Sequence, residues 1–86
     1  MAEYEIRFAA SAAREFRALP LDIKRRIGIA LDGLRQDPRP RGARKLQGHD
    51  QLYRIRVGHY RVVYSIDDQA ALLRITRVRH RRDTYR

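Results

Sequence analysis

The sequence predicts an α+β domain in the order strand, helix, helix, strand, strand, strand (β-α-α-β-β-β), an antiparallel sheet with two N-terminal helices packed on one face. Three observations predict it. The first residues alternate apolar and charged, residues 12 to 34 carry apolar side chains at helical spacing, and alternation returns from Tyr53 onward. Strands and helices segregated in this way make a two-layer α+β arrangement. At 86 residues the chain has room for one modest core, so residues 1–86 read as a single domain.

Tyr4, Ile6 and Phe8 share one face of the first predicted strand. Ser11 is placed to cap the helix that follows, in which Ala12, Phe16 and Leu19 form an inward stripe. Pro20 either ends that helix or opens the next. In the second helix Ile23, Ile27, Ala30, Leu31 and Leu34 form the apolar face, with Lys24, Arg25, Arg26, Asp32 and Arg35 largely off it. Residues 37–42 have the prolines and glycine of a loop, which leads through Ala43-Arg44-Lys45-Leu46-Gln47-Gly48 to the next strand.

Tyr53 to Tyr64 read as a two-stranded ribbon. Gly58-His59 fits the two-residue turn that takes glycine first. That turn sets Val57 opposite Tyr60, Arg56 opposite Arg61 and Arg54 opposite Val63. Tyr53, Ile55, Val57, Tyr60, Val62 and Tyr64 then face the helices, and Arg54, Arg56 and Arg61 face away. Like charges directly opposite each other destabilise a sheet. Either an anion sits between Arg56 and Arg61 or both splay into water, and the anion is the preferred reading. Asp67-Asp68-Gln69 makes a turn, and Leu72 to Val78 form a last strand with apolar residues on both faces, as a central strand has. A basic segment, Arg77 to Arg86, closes the chain and can fold back along the rim of the arginine face.

The absence of cysteine excludes disulfides and thiolate metal sites and suits a reducing compartment. No signal-like or membrane-spanning run opens the chain, which predicts a soluble, cytoplasmic protein without membrane contact. The net charge of +10 is uneven. Residues 1–38 hold 7 basic and 6 acidic side chains, whereas residues 39–86 hold 13 and 4. A polyanion is therefore expected to meet the second half. Eighteen of the 20 cations are arginine, the side chain that forks onto phosphate or carboxylate. His49, His59 and His80 lack zinc-ligand spacing and no carboxylate cluster accompanies them, so neither metal nor cofactor is expected.

A groove of arginines with an imidazole and a phenol suits RNA cleavage, in which the ribose 2′-OH is a built-in nucleophile. The protein need only align it, stabilise phosphoryl charge and handle two protons. The arrangement Lys45-Leu46-Gln47-Gly48, Tyr53-Arg54-Ile55-Arg56, Gly58-His59-Tyr60-Arg61-Val62-Val63-Tyr64 and Val78-Arg79-His80-Arg81-Arg82-Asp83-Thr84-Tyr85 resembles the RelE branch of the RelE/ParE toxin superfamily. The resemblance spans nearly the whole chain. It implies the toxin of a type II toxin–antitoxin module that enters the ribosomal A site, cuts messenger RNA and inhibits translation. By position it implies that Arg54 and Arg56 match the family's basic pair, that Arg61 and Arg81 clamp the scissile phosphate, and that Tyr85 stacks on the cleaved nucleotide. It also implies a cognate antitoxin whose acidic or amphipathic segment covers the basic groove, with operator DNA reached only through the complex.

One departure bears on mechanism. The best-known RelE pattern has lysines where this chain has Arg54 and Arg56, and arginine does not deprotonate at working pH. Histidine, with an unperturbed pKa of about 6.5, is the next candidate base. His80 fills that role or contacts ribosomal RNA, while His49 and His59 read as bystanders in turns. Lys45, Arg44, Arg79 and Arg82 are the expected RNA-backbone contacts, with simple solubility as the plainer role for Lys45. Two other functions remain: a ParE-like toxin acting on DNA gyrase, and a non-enzymatic basic RNA-binding module.

Overall fold

A computed structural model of the chain describes residues 3–48 and 51–82. The elements are β1 (Glu5–Phe8), α1 (Ala10–Arg17), α2 (Leu21–Gln36), β2 (Arg44–Lys45), β3 (Leu52–Val57), β4 (Tyr60–Asp67) and β5 (Leu72–His80). The predicted order holds, with β2 added; two residues are too short for any alternation to be read. In the sheet the strands lie in the order β1-β5-β4-β3-β2. β1 runs parallel to β5 and the other pairs are antiparallel, so the sheet is mixed. A parallel neighbour needs a long crossover, and both helices lie between Phe8 and Leu72 to supply it.

Ser11 does not cap α1. The helix begins two residues earlier than such a cap would set it, with Ala9 in extended conformation at its N-cap and no side-chain cap. Pro20 opens α2, and its carbonyl accepts the Lys24 N–H at 3.0 Å, where a missing proline N–H costs nothing. Ala12, Ile27, Leu31 and Leu34 bury the helical faces against Ile55, Val62, Tyr64, Ile66, Leu73, Ile75 and Val78. Each large aliphatic side chain fully buried there contributes about 1.5–3 kcal/mol.

The ribbon has the predicted register, with Val57 opposite Tyr60, Arg56 opposite Arg61 and Arg54 opposite Val63. Within its turn only Gly58 takes a positive φ, of 61°, the signature of a type II′ turn. A Cβ there would also stand 3.1 Å from the Arg26 guanidinium of α2. That guanidinium can yield, but the backbone cannot. Gly58→Ala is therefore expected to cost on the order of 1–2 kcal/mol, read as a lower midpoint in urea unfolding.

β5 lies between β1 and β4 over Leu72 to Ile75, and an irregularity explains its mixed pattern. Val63 pairs with Arg77 and Tyr64 with Ile75, which leaves Thr76 as an extra residue whose hydroxyl donates to the Val63 carbonyl at 3.2 Å. A bulge of this kind shifts the alternation by one. Leu73 and Ile75 face the core before it and Val78 after it. Without the bulge, Arg77 and Arg79 would share the face of Ile75.

Candidate RNA-binding and catalytic site

The two strand registers combine into one result: Arg56 stands opposite Arg61, and Arg61 opposite Arg79, across three adjacent strands. All three lie on the face away from the helices. The next row reads Arg44, Arg54, Val63 and Arg77. Directly opposed side chains in a sheet stand about 5 Å apart. Like charges carried on such opposed positions destabilise the sheet, and an anion between them reverses the sign.

At its hairpin end the row closes. The Arg81 N–H donates to the His59 carbonyl at 2.7 Å, which brings the residue after β5 over the turn. A cavity of about 410 Å³ results; the described residues that line it are Arg56, Gly58, His59, Tyr60, Arg61, Arg81 and Arg82, none of them acidic. Arg56, Arg61 and Arg81 thus meet around one space. Arg54 lines a neighbouring cavity of about 620 Å³ with Arg44 and Arg56, floored by Ala30, Gly33 and Leu34 of α2.

His80 lies outside the row of Arg56, Arg61 and Arg79, and lines a second cavity of about 550 Å³ with His59, Arg81 and Arg82, three residues that also line the arginine cavity. β5 continues to His80 rather than loosening into a tail, and strand alternation sets His80 opposite Tyr60, on the helix side of the sheet. Its ring meets Tyr60 edge-on at 5.3 Å and lies over His59 at 6.0 Å. The His80 Nδ1 accepts the Arg82 N–H at 3.2 Å. His59, assigned to a bare turn, in fact lines the arginine cavity.

Lys45 pairs with Tyr53 and so projects from the helix side, whereas Arg44 shares the arginine face and folds back to donate to the Arg41 and Ala43 carbonyls, both at 3.2 Å. Tyr85 and His49 lie outside the described residues. Among the described residues no group of three or more His, Asp and Glu is placed to hold a metal ion, and no helix is long and apolar enough to cross a membrane.

Part of the basic half is committed to structure. Arg39 grips Asp68 with both terminal nitrogens at 3.2 and 2.9 Å, donates from Nε to the Tyr53 hydroxyl at 3.2 Å and lies over the Tyr53 ring at 5.4 Å. Tyr4 donates to the same carboxylate at 2.7 Å. Arg39 and then Tyr4 hold the Asp68 carboxyl below its usual range. Beneath them the buried Tyr64 hydroxyl donates to the Pro38 carbonyl at 2.7 Å, and burial pushes that phenol up to about 12. The sequence gives no local signal for Arg39 and Asp68, which are 29 residues apart.

Glu15 of α1 is the second group that sequence reasoning missed. Its Oε1 accepts the Val78 N–H at 2.9 Å, its Oε2 accepts Arg79 Nε at 2.7 Å, and Arg77 Nη1 lies 3.7 Å away. Burial pushes this carboxyl up, but the Val78 N–H, Arg79 and Arg77 outweigh it and hold the pKa below the ordinary glutamate value. A carboxyl lowered on folding stabilises the fold above its unfolded pKa of about 4.3 and loses that contribution as pH falls through its lowered folded value. The wild type is therefore expected to melt earlier in acid. Glu15→Gln should be less stable near neutral pH, with the gap narrowing below about pH 4. A gap in melting temperature that stays constant with pH would refute the linkage.

Residues 6–85 match the family model described as the ParE toxin of the type II toxin–antitoxin system, parDE. The chain is similar to Toxin RelG of Mycobacterium tuberculosis (strain ATCC 25618 / H37Rv), with 36% identity over 87 residues covering 96% of this chain and 97% of that protein. Its fold resembles the toxin in the archaeal RelE–RelB complex from Pyrococcus horikoshii OT3, with a TM-score of 0.81 and 30% identity over 92% of this chain and 96% of the other. The isolated E. coli RelE toxin superposes with a TM-score of 0.82 at 25% identity, covering 90% of this chain and 83% of that one.

Proposed function

Because the chain belongs to the toxin family of type II toxin–antitoxin modules and is RelE-like within it, we propose that it is a ribosome-dependent endoribonuclease that cuts messenger RNA in the A site. The observation that carries this reading is the meeting of Arg56, Arg61 and Arg81 around one cavity. In the proposed reaction the ribose 2′-oxygen attacks phosphorus and the bond to the 5′-oxygen breaks. The 2′-OH gives up its proton to solvent and the departing 5′-oxygen takes one up, leaving a 2′,3′-cyclic phosphate and a 5′-OH; water can then open the cyclic ester to a 3′-phosphate. Arg61 and Arg81 hold the phosphoryl oxygens as charge develops, and Arg56 and Arg79 extend the cationic row along the RNA backbone. Tyr85 belongs to the proposal by its place in the sequence, as the base-stacking residue. His80 serves the fold of the Arg81-Arg82 turn.

The known partner of the relatives, an antitoxin, implies one here, acting in the cytoplasm. An acidic segment laid over the row of Arg56, Arg61 and Arg79 would relieve the repulsion among them and exclude RNA in the same step. Any operator contact would be made through that complex. A second reading, action on DNA gyrase, is favoured by the ParE name of the matching family model. A purified translation system programmed with a defined message, assayed beside gyrase supercoiling, separates the two.

A further inference from the structure

We propose that Glu15 is a positioning residue of the cleavage site, holding Arg79 in the cationic row through a two-oxygen grip on the end of β5; this rests on the ribonuclease reading. β1 accompanies β5 only from Leu72 to Ile75, and beyond that point no strand among the described residues lies beside that edge of β5. There Glu15 takes the place of a strand. One carboxylate oxygen accepts the Val78 N–H, which fixes the backbone just past the Thr76 bulge, and the other accepts Nε of the next residue, Arg79.

Nε is the inner nitrogen of the guanidinium. Held there, the group keeps its terminal nitrogens for another partner and loses the rotamer freedom that an exposed arginine would have. Arg79 lies opposite Arg61, so its placement sets the third point of the row through which the RNA backbone would run. The Glu15 side chain is only 21% exposed, so solvent screens this grip less than it would a surface pair. α1 thereby becomes part of the site without touching substrate.

Glutamine separates capping from positioning. Its single carbonyl oxygen can still accept the Val78 N–H, but its amide then turns a donor toward Arg79 Nε, and the grip is lost. In single-turnover cleavage on programmed ribosomes, Glu15→Gln is expected to lower kcat on the order of 10- to 100-fold with KM changed far less, while remaining folded by circular dichroism. Arg79→Lys keeps the charge and leaves the Val78 cap in place, and it is expected to show a loss of the same order. The deciding measurement is the double variant Glu15→Gln with Arg79→Ala. If Glu15 acts through Arg79, the double variant is no slower than Arg79→Ala alone. Losses that multiply, or normal kcat in either Glu15→Gln or Arg79→Lys, would overturn the positioning role and leave the ribonuclease reading intact. A wild type that cuts no message on ribosomes would overturn both.

Discussion

Arg61→Ala and Arg81→Ala are each expected to slow mRNA cleavage on ribosomes by on the order of 100- to 1000-fold, the usual cost of losing one donor aimed at transition-state charge. Neither change should unfold the protein. Arg61 is half-buried on the face away from the helices, outside the core, and its backbone pairing with Arg56 and Arg79 survives truncation at Cβ. Arg81 is exposed, and the bond that places it runs from its own N–H to the His59 carbonyl, which alanine keeps. Single-turnover cleavage beside thermal unfolding checks both halves of the expectation. Normal cleavage by either variant would refute the phosphate clamp, and loss of cleavage together with loss of fold would show that the residue acts through structure.

How much of this was legible differs from element to element for physical reasons. The ribbon was the most legible part, because a two-residue turn with glycine first fixes the register, and the register fixes which side chains oppose each other. The pairing of Arg56 with Arg61 followed from that turn alone. Strand alternation carries no direction, so the parallel run of β1 beside β5 could not be read from Tyr4, Ile6 and Phe8. The bulge at Thr76 was visible only as noise, with apolar residues on both faces of the last strand, yet it is what turns Arg77 and Arg79 outward. Treating Arg77 to Arg86 as a tail also lost the alternation that sets His80 on the opposite side from Arg79.

The charges show the same limit. A count of cations in the second half treats them as one supply for a polyanion, but Arg39 is committed to Asp68, and Arg77 and Arg79 lean on Glu15 from the first half. Both arrangements bring together residues far apart in the chain. No periodicity within a strand or helix encodes them.

The remaining expectation concerns what the site lacks. Among the described residues lining the arginine cavity there is no lysine and no carboxylate, and His59 is the one imidazole. The arginines can hold phosphate but do not take a proton at working pH. The free protein is therefore expected to cut naked RNA very poorly, and fast cleavage should need the ribosome to bend the message until the 2′-oxygen, phosphorus and leaving oxygen lie in line. Alignment of that kind supplies as much as about 7–11 kcal/mol of a barrier, far more than one weak base would. In a purified translation system, cleavage should appear in the A site, fall steeply for Tyr85→Ala and change little for His80→Ala unless the Arg81-Arg82 turn moves with it. Gyrase supercoiling measured in parallel should be unaffected. Gyrase inhibition without message cleavage would overturn the ribonuclease reading in favour of the ParE-like one, and rapid cutting of naked RNA would mean that the protein itself supplies the proton acceptor, with His59 of the arginine cavity the first to test.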